Sequence, residues 1–67
     1  MSIAKVIKVI GRSPKGLDDA IETALARVSK TVHGIHGLKV VEWTIDVDEN
    51  KIAGHKVTLE VAFGVDE

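Results

Sequence analysis

Three imidazoles head the groups in this chain that could do chemistry. His33 and His36 form an H-x-x-H pair around Gly34, and His55 stands well downstream. Three neutral imidazoles with an open position make a catalytic zinc set. Here no Glu completes an H-E-x-x-H pattern, and Gly34 leaves the spacing of the pair unfixed. His33 suits a helix C-terminus instead, where an imidazolium meets the negative end of the helix dipole. No metal site is expected from these residues. A second group, Asp46-Val47-Asp48-Glu49-Asn50, offers oxygens at alternate positions, as a calcium loop does at its start. Its sixth position is Lys51 where such a loop needs Gly, and its twelfth is Val57 where it needs Glu. The segment therefore reads as a solvated hairpin tip, although several tips meeting at a symmetry axis could still bind a divalent ion.

Nucleophilic catalysis has little support. Ser13 has no evident base and orienter, and helix capping explains it more simply. The stretch from Gly11 to Gly16 lacks the Lys-Ser/Thr ending of a phosphate-binding loop. No catalytic residue is expected, and the chain is read as a non-enzyme. What remains is a small set suited to holding a ligand. Lys56 is a cation in an apolar-patterned strand, and Glu42 and Trp43 set an acid beside an aromatic plate. Lys56, Glu42 and Trp43 are the candidate ligand-binding residues.

The elements that must position them follow from periodicity. Residues 3–10 are rich in β-branched side chains and stop at Gly11, which reads as a strand with apolar groups on both faces. Ser13 as cap and Pro14 at the first helical position open a helix over about 14–33. Leu17, Ile21, Ala24, Leu25, Val28 and Val32 form its apolar stripe, and Gly34 ends it. Residues 38–47 and 52–63 are two further strands around the polar turn at 48–51. In the last strand Val57, Leu59, Val61 and Phe63 share a parity with His55 and should face the helix. Lys56, Thr58, Glu60 and Ala62 should face outward. The fold class expected is α+β: β-α-β-β, a three-stranded antiparallel sheet packed on one helix, as a single domain over 1–67.

Composition narrows the function classes. The chain has 67 residues, nine Lys plus Arg, ten Asp plus Glu, and no Cys. Disulfides and thiolate sites are excluded. A net charge of -1 gives no basic excess for a phosphate backbone, so no nucleic-acid partner is expected. No apolar run approaches the roughly 20 residues of a membrane helix, and no signal-peptide pattern is visible, so the expected setting is cytoplasmic with no membrane partner. Yet 45% of the residues are apolar, in a chain so short that a core of its own is marginal. Self-association is the expected remedy.

The whole string resembles the dodecin family. The likeness rests on Lys5-Val6-Ile7-Lys8-Val9-Ile10-Gly11, then Ser13-Pro14-Lys15-Gly16-Leu17. It continues through Ala20, Ile21, Ala24, Leu25, Ala26 and Arg27, Lys30-Thr31-Val32, and closes on Leu59-Glu60-Val61-Ala62-Phe63. The resemblance implies a β-α-β-β subunit of a hollow homododecamer that binds, stores or sequesters flavin (riboflavin or FMN). In flavin-binding members a Trp opens the second strand and stacks on the isoalloxazine, and a Gln on the third strand bonds its polar edge. Counted without gaps, these positions are Gly37 and Lys56 here. Glu42 matches an acidic position beside the flavin tail in some members. Trp43 shares strand parity with Gly37 and so is expected on the same face, but six residues of strand span about 20 Å. Members without the stacking Trp are described as ion-binding, which makes a flavin-free assembly holding calcium the alternative.

Overall fold

The third strand is the axis of the molecule. In the computed structural model, which describes residues 3–65, β1 (Ile3–Ser13) is followed by α1 (Leu17–Val28), β2 (Ile35–Asp48) and β3 (Lys51–Val65). The sheet is antiparallel with order β1-β3-β2, so β3 is paired on both sides. Val57, Leu59 and Val61 alternate along it and are fully or almost fully buried. Ile7 faces Val61 and Val9 faces Leu59 across the β1–β3 ladder, which continues the apolar face onto β1. This is the β-α-β-β arrangement expected, with the expected β3 parity against the helix.

The helix roofs only part of that face. α1 packs on β1 and β3, with Ala20 and Ala24 buried and Leu17, Ile21 and Val28 packed around them. Gly11 lets it approach β1 closely: a Cβ there would lie 2.7 Å from the Ala20 carbonyl oxygen and 2.9 Å from the Ala24 Cβ.

Both helix boundaries fall inside the span of 14–33 expected from sequence. Ser13 is not its cap. It is the last residue of β1, opposite His55, and its hydroxyl accepts from the Lys15 N–H at 3.0 Å while donating to the Asp19 carboxylate. The N-cap is Gly16, whose conformation at φ 157° does not extend the helix. Pro14 thus lies in the connection. At the other end, the Ser29 hydroxyl donates to the Ala26 carbonyl oxygen at 3.0 Å, a local bond that competes with continuation of the helix. Val32 lies beyond it and Gly34 (φ 75°) turns the chain into β2.

The hairpin closes at Glu49 (φ 50°) and Asn50 (φ 65°), both in the left-handed region. Two central residues of that kind make a type I′ turn, whose twist matches that of the strands. The long β2–β3 arm gives the chain its shape. The radius of gyration is 13.9 Å, against about 11 Å for a compact chain of this length. The surface is 5037 Å², against roughly 4,100 Å² for a monomer of this mass.

Candidate functional site

Register decides which candidate residues meet. On the face away from the helix, Arg12, Lys56 and Thr44 lie abreast across the three strands, with Ile10, Thr58 and Glu42 in the next row. Lys56 and Glu42 are therefore diagonal neighbours on one face. Gly37 stands on the same face, opposite Ala62. Lys56 points outward, as expected.

Trp43 is on the other face. Between Val40 and Glu42, β2 advances two residues while β3 advances one, so the bulge at Val41 reverses the parity of the strand. Trp43 pairs with the buried Val57, on the helix side. This corrects the expectation that it shares the face of Gly37. Nothing in an apolar Val40-Val41 pair marks an inserted residue.

Leu38, Val40, Trp43 and Ile45 thus form one row on the helix side of β2, opposite Val61, Leu59, Val57 and His55. The helix does not reach them, and they are between 37% and 48% exposed. Farther out on the arm, Val47 and Ile52 face each other and are exposed as well.

The indole of Trp43 stacks near the His55 imidazole, with ring centroids 6.1 Å apart and planes 24° from parallel. His55 Nδ1 is buried and has no hydrogen-bond partner among the described residues. Beside this pair an open cleft of about 590 Å³ runs to the start of α1 and is lined by Lys15, Gly16, Leu17, Asp18 and Asp19 as well as the two rings. Sequence reasoning missed His55 as the neighbour of Trp43. Counting back from a regular hairpin turn pairs Trp43 with Lys56, and a register shift at Asp46/Val47 moves the pairing to Val57.

Behind His55 a smaller cleft of about 250 Å³ lies against Arg12, Asp46 and Gly54. Arg12 reaches over the bare Gly54 to Asp46, N–O 3.1 Å.

The histidines do not converge. His36 lies at the start of β2 near Phe63, while His55 is eight residues back along β3, about 26 Å away at strand rise. His33 and His36 are exposed. Among the described residues no group of three His, Asp or Glu is placed to hold a metal ion within one chain. Asp48 and Glu49 sit at the hairpin tip, and Asp46 is taken by Arg12.

A one-helix, three-stranded α+β subunit with an unroofed apolar strand and clefts at its edges is the class these features define. The sequence model described as Dodecin matches residues 3–66. The dodecin of Thermus thermophilus is 34% identical over 65 residues, covering 97% of this chain and 94% of that protein. The calcium dodecin of Mycobacterium tuberculosis is 35% identical over 94% of this chain and 89% of its own length. Its crystal structure, described as that of a calcium-chelating immunodominant antigen with a novel calcium-binding site, superposes with a TM-score of 0.82 over 97% and 93% of the two chains. The dodecin of Streptomyces davaonensis superposes with a TM-score of 0.91 at 35% identity, over 98% and 97%. The chain belongs to the dodecin family.

Proposed function

We propose that this chain is the subunit of a non-enzymatic homododecameric shell that binds and sequesters a small ligand at the seams between subunits. One observation carries the reading: the row Leu38, Val40, Trp43 and Ile45 is an apolar strip that no element among the described residues covers. Leaving such a strip in water costs about 25 cal/mol per Å², and a second copy removes that cost. The partner is the chain itself, in a cytoplasmic setting without nucleic acid or membrane. Among the described residues, no helix is long and apolar enough to cross a membrane.

Flavin is the ligand that family resemblance implies, held on the face of Gly37, Lys56 and Glu42. Gly37 offers no plate, and Lys56 donates hydrogen bonds but accepts none, where an amide does both. Flavin binding at that position is therefore weak in this reading. Substituting Gly37→Trp restores the plate, because a Cβ there meets only the Ala62 Cβ at 3.9 Å. Stacking worth about 1–3 kcal/mol predicts roughly five- to 150-fold tighter riboflavin binding. Calcium is the second reading, favoured by the likeness to the M. tuberculosis protein and by Asp48 and Glu49 at the hairpin tip.

Light-scattering mass, the visible spectrum of the purified protein and a riboflavin titration test the first reading. A twelvefold mass with yellow colour or saturable riboflavin binding supports it. A stable monomer at micromolar concentration ends it. Thermal stability with calcium and with chelator tests the second, and identical midpoints remove it.

A further inference from the structure

Two exposed rows lie at opposite edges of the sheet and on opposite faces, and they match in length. We infer that they are the two halves of one seam. The row Val6, Lys8 and Ile10 on β1 of one copy seats on the row Val40, Trp43 and Ile45 on β2 of a second copy, with Lys8 over the open side of the Trp43 indole. The inference deepens the self-association reading above and rests on it. It adds which surface meets which, and what fixes the fit.

Position is the first observation. β1 and β2 are the two edge strands, with β3 between them. Val6, Lys8 and Ile10 alternate along the face that carries Arg12 and Lys56, and all three are exposed. Val40, Trp43 and Ile45 stand on the helix side and are exposed as well. A twofold contact pairs a patch with itself, so a β2 row covered by its own copy leaves the β1 row in water. A head-to-tail contact covers both rows at once, and its repetition closes a ring. The helix offers no rival surface, since none of the exposed large apolar residues among the described residues belongs to α1.

Spacing is the second. Val6 and Ile10 are four residues apart on a regular strand, about 13 Å. Val40 and Ile45 are five apart in number, but the bulge at Val41 absorbs one residue. They face Leu59 and His55, which are four apart on β3. Trp43 faces Val57, midway between those two, and Lys8 lies midway between Val6 and Ile10. When the ends of the two rows coincide, in either direction, Lys8 falls on Trp43.

The chemistry of the two central residues agrees. Trp43 has one side toward the His55 imidazole and is 48% exposed. Among the described residues Lys8 has no ion pair. An ammonium over an indole face is the most favourable of the cation–aromatic pairings. Glu60 stands opposite Lys8 on the same face, so the cation enters the seam with a carboxylate on the neighbouring strand. The contact uses only the β1 edge of that face. Gly37, Glu42 and Lys56 lie on β2 and β3 and stay open to a ligand.

A charge swap at the two centres tests the inference. Light-scattering mass is followed over a dilution series of the full-length protein, and far-UV dichroism checks that each variant is folded. Trp43→Lys sets two ammonium groups against each other, whereas Trp43→Glu meets Lys8 as an ion pair. Trp43→Glu should therefore assemble at a subunit concentration roughly tenfold lower than Trp43→Lys does. In a Lys8→Glu background the order should invert by a similar factor. Lys15, Asp18 and Asp19 near Trp43 are the same in both backgrounds, so the inversion reports Lys8 alone. The same order in both backgrounds overturns the inference, while a twelvefold mass for the parent leaves the shell reading standing. A monomeric parent overturns both. Where no Trp43 variant assembles, Lys8→Gln decides. It should raise the half-assembly concentration several-fold and shift the emission of Trp43, the only tryptophan in the chain. Values equal to the parent's overturn the inference.

Discussion

The two halves of the sheet both present apolar side chains on the helix side, and the two sets have opposite fates. Under α1, the β1–β3 half buries Val57, Leu59 and Val61 among Ile7, Val9, Ala20 and Ala24. Beyond the helix, β2 presents Leu38, Val40, Trp43 and Ile45 on the same face of the same sheet, and they stay in contact with solvent. A helix of 12 residues lying over two strands cannot also cover a third. Neighbouring strands are about 4.8 Å apart and a helix with its side chains is about 10 Å wide. The roofed half stabilises the subunit, and the unroofed half has apolar area left for contact with another molecule.

The largest effect tests the roofed half. Leu59 is fully buried on the central strand, and Leu59→Ala should cost about 2–5 kcal/mol. The expected readout is a lower urea midpoint at fixed subunit concentration. Gly11→Ala tests the same half from the opposite direction. With its Cβ set against the Ala20 carbonyl, overpacking of about 1–3 kcal/mol is expected. A midpoint within error of the parent for both variants means that the helix–sheet contact is not the stabilising core.

The next effect belongs to the unroofed half, and it should appear in mass before it appears in subunit structure. Val40 is 45% exposed within the chain, so Val40→Asp removes little from the isolated fold. In an assembly it buries a carboxylate without a partner, at a cost of several kcal/mol per copy. The expectation is a sharp drop in light-scattering mass at micromolar concentration, with far-UV dichroism retained. An unchanged mass would move the seam elsewhere and dissolve the contrast between the halves.

What the sequence made legible follows the same division. The parity of Val57, Leu59 and Val61 was readable because β3 is regular where it is buried, and a slip there would expose the whole core. The helical stripe was readable for the same reason, although its ends were not. Ser13 looks like a cap by type, yet β1 pairing with His55 holds it in the sheet and Asp19 takes its hydroxyl. On β2 the pattern failed. Val40 and Val41 are alike in hydropathy, so no signal marks the bulge that sends Trp43 to the helix side and beside His55. Lys56 and Glu42 could be placed on one face only after the register was known.

The smallest effect lies on the arm, where the two halves meet. Arg12 on β1 crosses to Asp46 on β2 at 3.1 Å, and Gly54 between them on β3 contributes no side chain to block the span. It is the one charged tie between the outer strands among the described residues. Its geometry looks like a brace for the unroofed strand, but its exposure argues against much strength. The side chains are 68% and 49% exposed, and pairs of that kind contribute about 0–1 kcal/mol. Arg12→Ala should therefore shift the urea midpoint far less than Leu59→Ala does. The difference from the parent should vanish near 1 M salt, where the screening length falls to about 3 Å. A loss comparable to that of Leu59→Ala, persisting in high salt, would show that the pair is desolvated in the assembly. The arm would then be held across its strands by charge as well as covered by a neighbour.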